Sequence, residues 1–114
     1  ITYGAAISAC EKNKKLPLAM ELLREMKQCR LAPDVIVYNA AISACDKCQR
    51  WDLALEMLRE MRWHGLEPDV ISYNSAISAC EKCMKYELAL ELMMDMEREG
   101  LEPDVITYNA AIRA

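Results

Sequence analysis

Pro33-Asp34-Val35-Ile36 returns as Pro68-Asp69-Val70-Ile71 and again as Pro103-Asp104-Val105-Ile106, 35 residues apart each time. A fixed period of this length marks a repeat array, so it decides the architecture before any single element is read. Residues 35–69 and 70–104 share 21 identities in 35 positions. The chain therefore divides into 1–34, a copy lacking its first residue, then 35–69, 70–104, and 105–114 as the opening of a fourth unit. Within each unit the apolar spacing is helical. Tyr38, Ala41, Ile42 and Cys45 form one stripe, matched by Tyr73, Ala76, Ile77 and Cys80 and by Tyr3, Ala6, Ile7 and Cys10. This 3–1–3 pattern predicts a first helix from about Ile36 to Lys47. A second helix is expected from about Trp51 to Trp63, with Ala54, Met57, Leu58 and Met61 apolar. Asp34, Asp69 and Asp104 stand where they cap a helix start. Pro17 suits a first helical position, and Gly65 and Gly100 suit helix stops. Arg30 holds the equivalent place in the first copy, which makes that turn less ideal.

One helical hairpin cannot bury its own stripe, but stacked copies can. The expected fold is all-α: a right-handed α-solenoid of helix-turn-helix hairpins, each touching only its neighbours. Three repeats are near the lower limit of stability, and the end faces would be apolar, so marginal solubility is expected.

Composition narrows the function. The 114 residues are 54% hydrophobic and 28% charged, a globular balance with no run long enough to span a membrane. Ile1 is no translation start and nothing beside it reads as a targeting segment, so the chain is expected to be an excerpt of a longer protein. The net charge of −4 is unlike that of a typical duplex-DNA binder. It is also uneven: residues 1–34 carry six Lys/Arg against four Asp/Glu, whereas 70–104 carry three against eight. Nucleic-acid contact would have to rest on locally placed cations.

Beside the buried stripe of the first helix runs a second one: Ile36, Asn39, Ser43 and Asp46/Lys47, repeated as Ile71, Asn74, Ser78 and Glu81/Lys82. An apolar edge, an amide, a hydroxyl and a cation at repeat spacing suit recognition of one base per unit. Lys12, Lys47 and Lys82 fall at one repeated place and are candidate phosphate contacts; a solvated lysine favouring the helix C-terminus is the plainer reading.

The unit reads Val-Ile-x-Tyr-Asn-x-x-Ile, then Leu-Ala-Leu-Glu, then Met, then Gly-Leu-Glu-Pro-Asp. It resembles the pentatricopeptide repeat, of the 35-residue P type, along the whole chain. The resemblance implies sequence-specific binding of single-stranded RNA, and action in mitochondrial or chloroplast RNA metabolism. It also implies which residues read a base: Asn39 with Asp69, and Asn74 with Asp104, both the uridine pair of that family. Ile1, Ile36, Ile71 and Ile106 become the aliphatic wedges between bases. Gly4 stands where a reader belongs, so Gly4 with Asp34 implies little choice, and Asn109 lacks its partner. The chemistry agrees. An acceptor-only Asp beside an amide suits the N3–H of uracil and opposes the N3 lone pair of cytosine.

Three rival readings were weighed. Cys45-x-x-Cys48 and Cys80-x-x-Cys83 resemble a zinc Cys₄ pattern. However, Cys10, Cys45 and Cys80 lie on the core stripe, and stacked helices hold equivalent places roughly 8–10 Å apart, too far for thiolates about 2.3 Å from one ion. No metal, cofactor or disulfide is expected. Catalysis has little support: His64 stands alone near a helix end, and Glu56, Glu60, Glu91 and Asp95 read as a solvated face. Trp51 and Tyr86 share one place and are expected to pack between hairpins. The remaining alternative is a protein-interaction solenoid, with protein partners met through the acidic outer helices.

Overall fold

The computed structural model describes the backbone of residues 3–102 and the side chains from Ala5 onward. Six α-helices occupy that range: α1 (Tyr3–Lys12), α2 (Leu16–Gln28), α3 (Val35–Lys47), α4 (Trp51–Trp63), α5 (Val70–Lys82) and α6 (Tyr86–Arg98). They pair as three hairpins, α1/α2, α3/α4 and α5/α6. The first helices stack on one another, α1 on α3 and α3 on α5, and each second helix leans on the first helix of the next hairpin. This is the all-α solenoid the period implies.

Local chemistry sets each boundary. Asp34 and Asp69 are the N-caps of α3 and α5, accepting from Val37 N at 2.9 Å and Ser72 N at 3.0 Å. They satisfy donors a helix start leaves open, which is why α3 begins at Val35, one residue earlier than the apolar pattern alone indicates. Pro17 sits in the first turn of α2, and Asp52 and Glu87 in the first turns of α4 and α6. The second helices end as the glycines indicate, with Gly65 at φ 78° and Gly100 at φ 80°. Arg30 takes the same left-handed conformation, φ 59°, despite its side chain.

The turns inside the hairpins carry no such sequence mark. Lys14, Gln49 and Met84 all adopt positive φ, at 56°, 55° and 60°. The next residue then bonds back across the helix end: Lys15 N to Cys10 O at 2.8 Å, Arg50 N to Cys45 O at 2.8 Å, and Lys85 N to Cys80 O at 2.7 Å. This six-to-one closure is the Schellman motif, and here it holds non-glycine residues in a conformation they normally avoid.

The core follows the stripes. Tyr38, Ala41, Ile42 and Cys45 are fully buried, as are Tyr73, Ala76, Ile77 and Cys80. Small alanines bring the first helices close together, and the tyrosine rings fill the space between layers. Met57, Met61 and Met96 are buried filler, while Met93 is half-buried. Trp51 packs between hairpins as expected: Lys85 Nζ of the next hairpin lies 4.9 Å from its ring centroid. At the N-terminal face, Ala5, Ala9, Leu18 and Leu22 line an open apolar trough.

Candidate functional site

Asn39, Asp69 and Ser72 come together although Asn39 lies 30 or more residues before the other two along the chain. Asn39 projects from the second turn of α3, and Asp69 and Ser72 open α5 of the next hairpin. Asn39 Nδ2 donates to Asp69 Oδ1 at 3.1 Å. Ser72 Oγ lies 3.0 Å from the same carboxylate oxygen and donates to Asn39 Oδ1. The backbone N–H of Asp69 donates to Ser72 Oγ at 3.1 Å, closing a capping box around the start of α5. The sequence reading treats Asn39 as a surface amide. The structure instead leaves it 9% exposed, tied down from both ends by the following hairpin.

Beside this cluster, Ile36 stands one helical turn before Asn39 and is 73% exposed, and Ile71 occupies the same place in the next hairpin at 60%. Bulky aliphatic side chains held in solvent, repeated at hairpin spacing and flanking a polar cluster, form an apolar comb of the kind that flat rings can enter. Asn74 is half-buried at the equivalent position of α5. Asp104, its expected partner, lies outside the described residues, as do Ile1, Ile106 and Asn109. Gly4 falls within α1, and Asp34 is exposed, serving as the cap of α3.

Two of the three repeated lysines have structural partners. Lys47 Nζ lies 3.1 Å from Glu11 Oε1, and Lys82 Nζ lies 3.1 Å from Asp46 Oδ1. Each bond joins one hairpin to the preceding one. Glu11 also accepts from Ser43 Oγ. Burial pushes its carboxyl pKa upward, but the Ser43 bond and the Lys47 ammonium outweigh that and hold it below the usual range. A parallel set joins the second helices, with Lys27 paired to Glu60 and Arg62 3.8 Å from Glu99. Glu60 is thus an inter-hairpin tie, and His64 Nε2 stands 3.9 Å from it. Half-exposed pairs of this kind are each worth about 0–1 kcal/mol, so they align the stack more than they stabilise it.

The cysteines are similarly absorbed. Burial pushes the Cys45 thiol up to about 12 and the Cys80 thiol to about 11, which keeps both protonated and inert. Cys48 Sγ donates to Lys14 O at 3.4 Å and Cys83 Sγ to Gln49 O at 3.1 Å, each reaching the left-handed turn of the preceding hairpin. Among the described residues no group of three or more His, Cys, Asp or Glu is placed to hold a metal ion.

The family model for the pentatricopeptide repeat domain matches residues 1–47 and 56–114, and a second model, the PPR repeat, matches 36–66. The chain belongs to the pentatricopeptide repeat family. No curated protein matches it at a significant level of sequence similarity. Among solved structures it superposes on the pentatricopeptide repeat protein PPR10 from maize with a TM-score of 0.87 and 27% identity over 96% of this chain. PPR10 in complex with an 18-nt psaJ RNA element gives 0.86 and 28%. The PPR domain of Arabidopsis thaliana protein-only RNase P 1, in complex with tRNA, gives 0.83 at 15% identity over 95% of this chain and 57% of that one, which shows a common fold. The chain spans 16% of the length of PPR10.

Proposed function

We propose that this stretch of pentatricopeptide repeats binds single-stranded RNA, one base to each hairpin, as part of a longer array acting in mitochondrial or chloroplast RNA metabolism. The observation that carries the reading is the 3.1 Å bond from Asn39 to Asp69, which assembles an amide and a carboxylate from successive hairpins beside the exposed Ile36 and Ile71. The amide offers an N–H and the carboxylate a free oxygen, a donor and an acceptor side by side. Uracil presents the complement, an O4 or O2 acceptor next to the N3–H donor. Asn39 with Asp69 and Asn74 with Asp104 therefore read U-U, with Ile36, Ile71 and Ile106 as wedges. Gly4 with Asp34 offers no amide, so that hairpin exerts little base choice, and Ile1 and Asn109 are the matching wedge and reader by their place in the repeat. The RNA complex of the structural relative PPR10 supports RNA binding.

Lys12, Lys47 and Lys82 remain proposed phosphate contacts. An ammonium has three donors, and the inter-hairpin pairs of Lys47 and Lys82 use one each. Stacking is worth roughly 1–3 kcal/mol per base, so two well-read bases alone bind at about tens of millimolar to tens of micromolar. The decisive titration therefore places residues 35–104 in a longer array of known preference and varies only the two facing bases. Preference for U-U is expected, lost on Asn39→Ala and Asn74→Ala. Lys82→Ala should weaken all sequences alike and reduce the slope of log K against log salt by about 0.7. Tight binding with no base preference would reduce these hairpins to a spacer. A folded array that no longer binds RNA would move the function to protein interaction through the outer helices.

A further inference from the structure

One buried hydroxyl at the site plays no part in the reading above. Ser72 is fully buried, and its Oγ faces three groups: Asp69 N, Asp69 Oδ1 and Asn39 Oδ1. A hydroxyl has one proton to give. Asp69 Oδ1 already accepts from Ser72 N at 3.0 Å and Asn39 Nδ2 at 3.1 Å. The amide oxygen of Asn39 is the closer acceptor and receives that proton. The Asn39 amide is therefore gripped at both ends, with its oxygen toward Ser72 and one of its two Nδ2 protons toward Asp69. Its second Nδ2 proton is left for a ligand. A flipped amide would set its oxygen against the Asp69 carboxylate, which fixes the orientation, while the bond from Ser72 Oγ anchors the amide oxygen in that orientation.

The sequence varies in step with this contact. The place of Ser72 is held by Val37 in the preceding unit and by Thr107 in the following one, and each stands after a different reader. Val37 follows Gly4, which has no amide to hold. Ser72 follows Asn39, and Thr107 follows Asn74. A hydroxyl thus occurs where the preceding unit supplies an amide, and an aliphatic side chain where it does not. Helix capping alone does not require this: α3 is capped by Asp34 with Val37 in that place.

We propose that Ser72 is a positioning residue for base choice, holding the Asn39 amide so that it presents a donor, not an acceptor, to the base. The inference rests on the reading of Asn39 and Asp69 as a base-reading pair. It also assigns part of one hairpin's specificity to a buried residue of the next, a residue that does not touch the RNA.

The test uses the whole 114-residue chain, ¹⁵N-labelled, titrated by NMR with oligouridine and oligocytidine, a method suited to weak binding. The unsubstituted chain should bind oligouridine more tightly. Ser72→Val should reduce the uridine-to-cytidine affinity ratio about 3- to 10-fold, the effect of withdrawing one neutral hydrogen bond. Exchange of the Asn39 side-chain amide protons should quicken at the same time. Ser72→Thr should keep both the ratio and the slow exchange. Val37 already occupies the equivalent place in this fold, and Ser72→Ala repeats the test should the valine variant melt early. A uridine-to-cytidine affinity ratio left unchanged by both Ser72→Val and Ser72→Ala overturns the Ser72 role while leaving the Asn39–Asp69 reading intact. A wild-type chain that binds both oligonucleotides equally overturns the two together.

Discussion

Tyr38→Ala is expected to destabilise the chain by about 3–5 kcal/mol, whereas Tyr38→Phe should leave stability unchanged or slightly raised. Tyr38 is fully buried in α3, the middle first helix, which packs on both α1 and α5. Removing its ring empties space in the core of the middle hairpin of the stack. In a nearest-neighbour array this weakens the coupling terms on which a three-hairpin piece depends. Whole domains of ordinary stability have only about 5–15 kcal/mol to lose. The hydroxyl is another matter. It is buried with no hydrogen-bond partner among the described residues, and burial pushes its pKa up. Deleting an unpaired buried hydroxyl removes a desolvation penalty and breaks no bond. Urea titration followed by helical circular dichroism separates the two effects. An alanine variant within about 1 kcal/mol of the parent would show that the ring does not carry the core of that hairpin. A clearly destabilised phenylalanine variant would show that the hydroxyl has a partner in solution.

What the sequence made legible and what it hid follow from where each signal resides. The tyrosine-alanine-isoleucine-cysteine stripe is a local pattern, repeated three times; it placed the buried faces of α3 and α5 correctly, and in α1 its Ile7 and Cys10 are buried while Ala6 is half-buried. Gly65 marked the end of α4 because a left-handed residue there is easiest for glycine. The turns at Lys14, Gln49 and Met84 gave no such mark, since their left-handed geometry is imposed by the closing hydrogen bonds and by packing between hairpins. The lysines show a similar limit. Lys47 and Lys82 read as free cations because their partners, Glu11 and Asp46, lie 36 residues earlier in each case, on the preceding first helix. Ser72 was missed for the same reason: its bond to Asn39 crosses from one hairpin to the next. A signal for it did exist. Comparing each unit's third residue with the preceding unit's fifth, as in Gly4 with Val37 and Asn39 with Ser72, would have paired them.

Asp69→Asn should abolish most of the preference for uracil over cytosine at the base facing Asn39 while the hairpin remains folded. Asp69 performs two tasks with one carboxylate. Oδ1 accepts from Ser72 N at 3.0 Å as the cap of α5 and from Asn39 Nδ2 at 3.1 Å. Asparagine caps a helix about as well as aspartate, so one amide oxygen can keep the cap. Loss of the charge at the helix start should cost about 0.3–1 kcal/mol. The other carboxylate oxygen, however, becomes an NH₂ group. It then meets the N3–H of uracil donor to donor and suits the N3 lone pair of cytosine. Opposing a buried donor is worth about 1–3 kcal/mol, roughly 5- to 150-fold in relative affinity. Asp69→Ala makes the contrast, since it loses the cap as well, at about 0.5–2 kcal/mol, and should show a fall in stability alongside the lost selectivity. The substitution also removes the carboxylate that opposes a flipped Asn39 amide, so Ser72 becomes its remaining anchor. Ser72→Val should therefore act more than additively on Asp69→Asn, as residues sharing one network do. Titration of the longer array carrying residues 35–104, with U and C at the facing position, reads all four variants. Full retention of the preference for uracil in Asp69→Asn would mean that the carboxylate caps the helix and does not read the base.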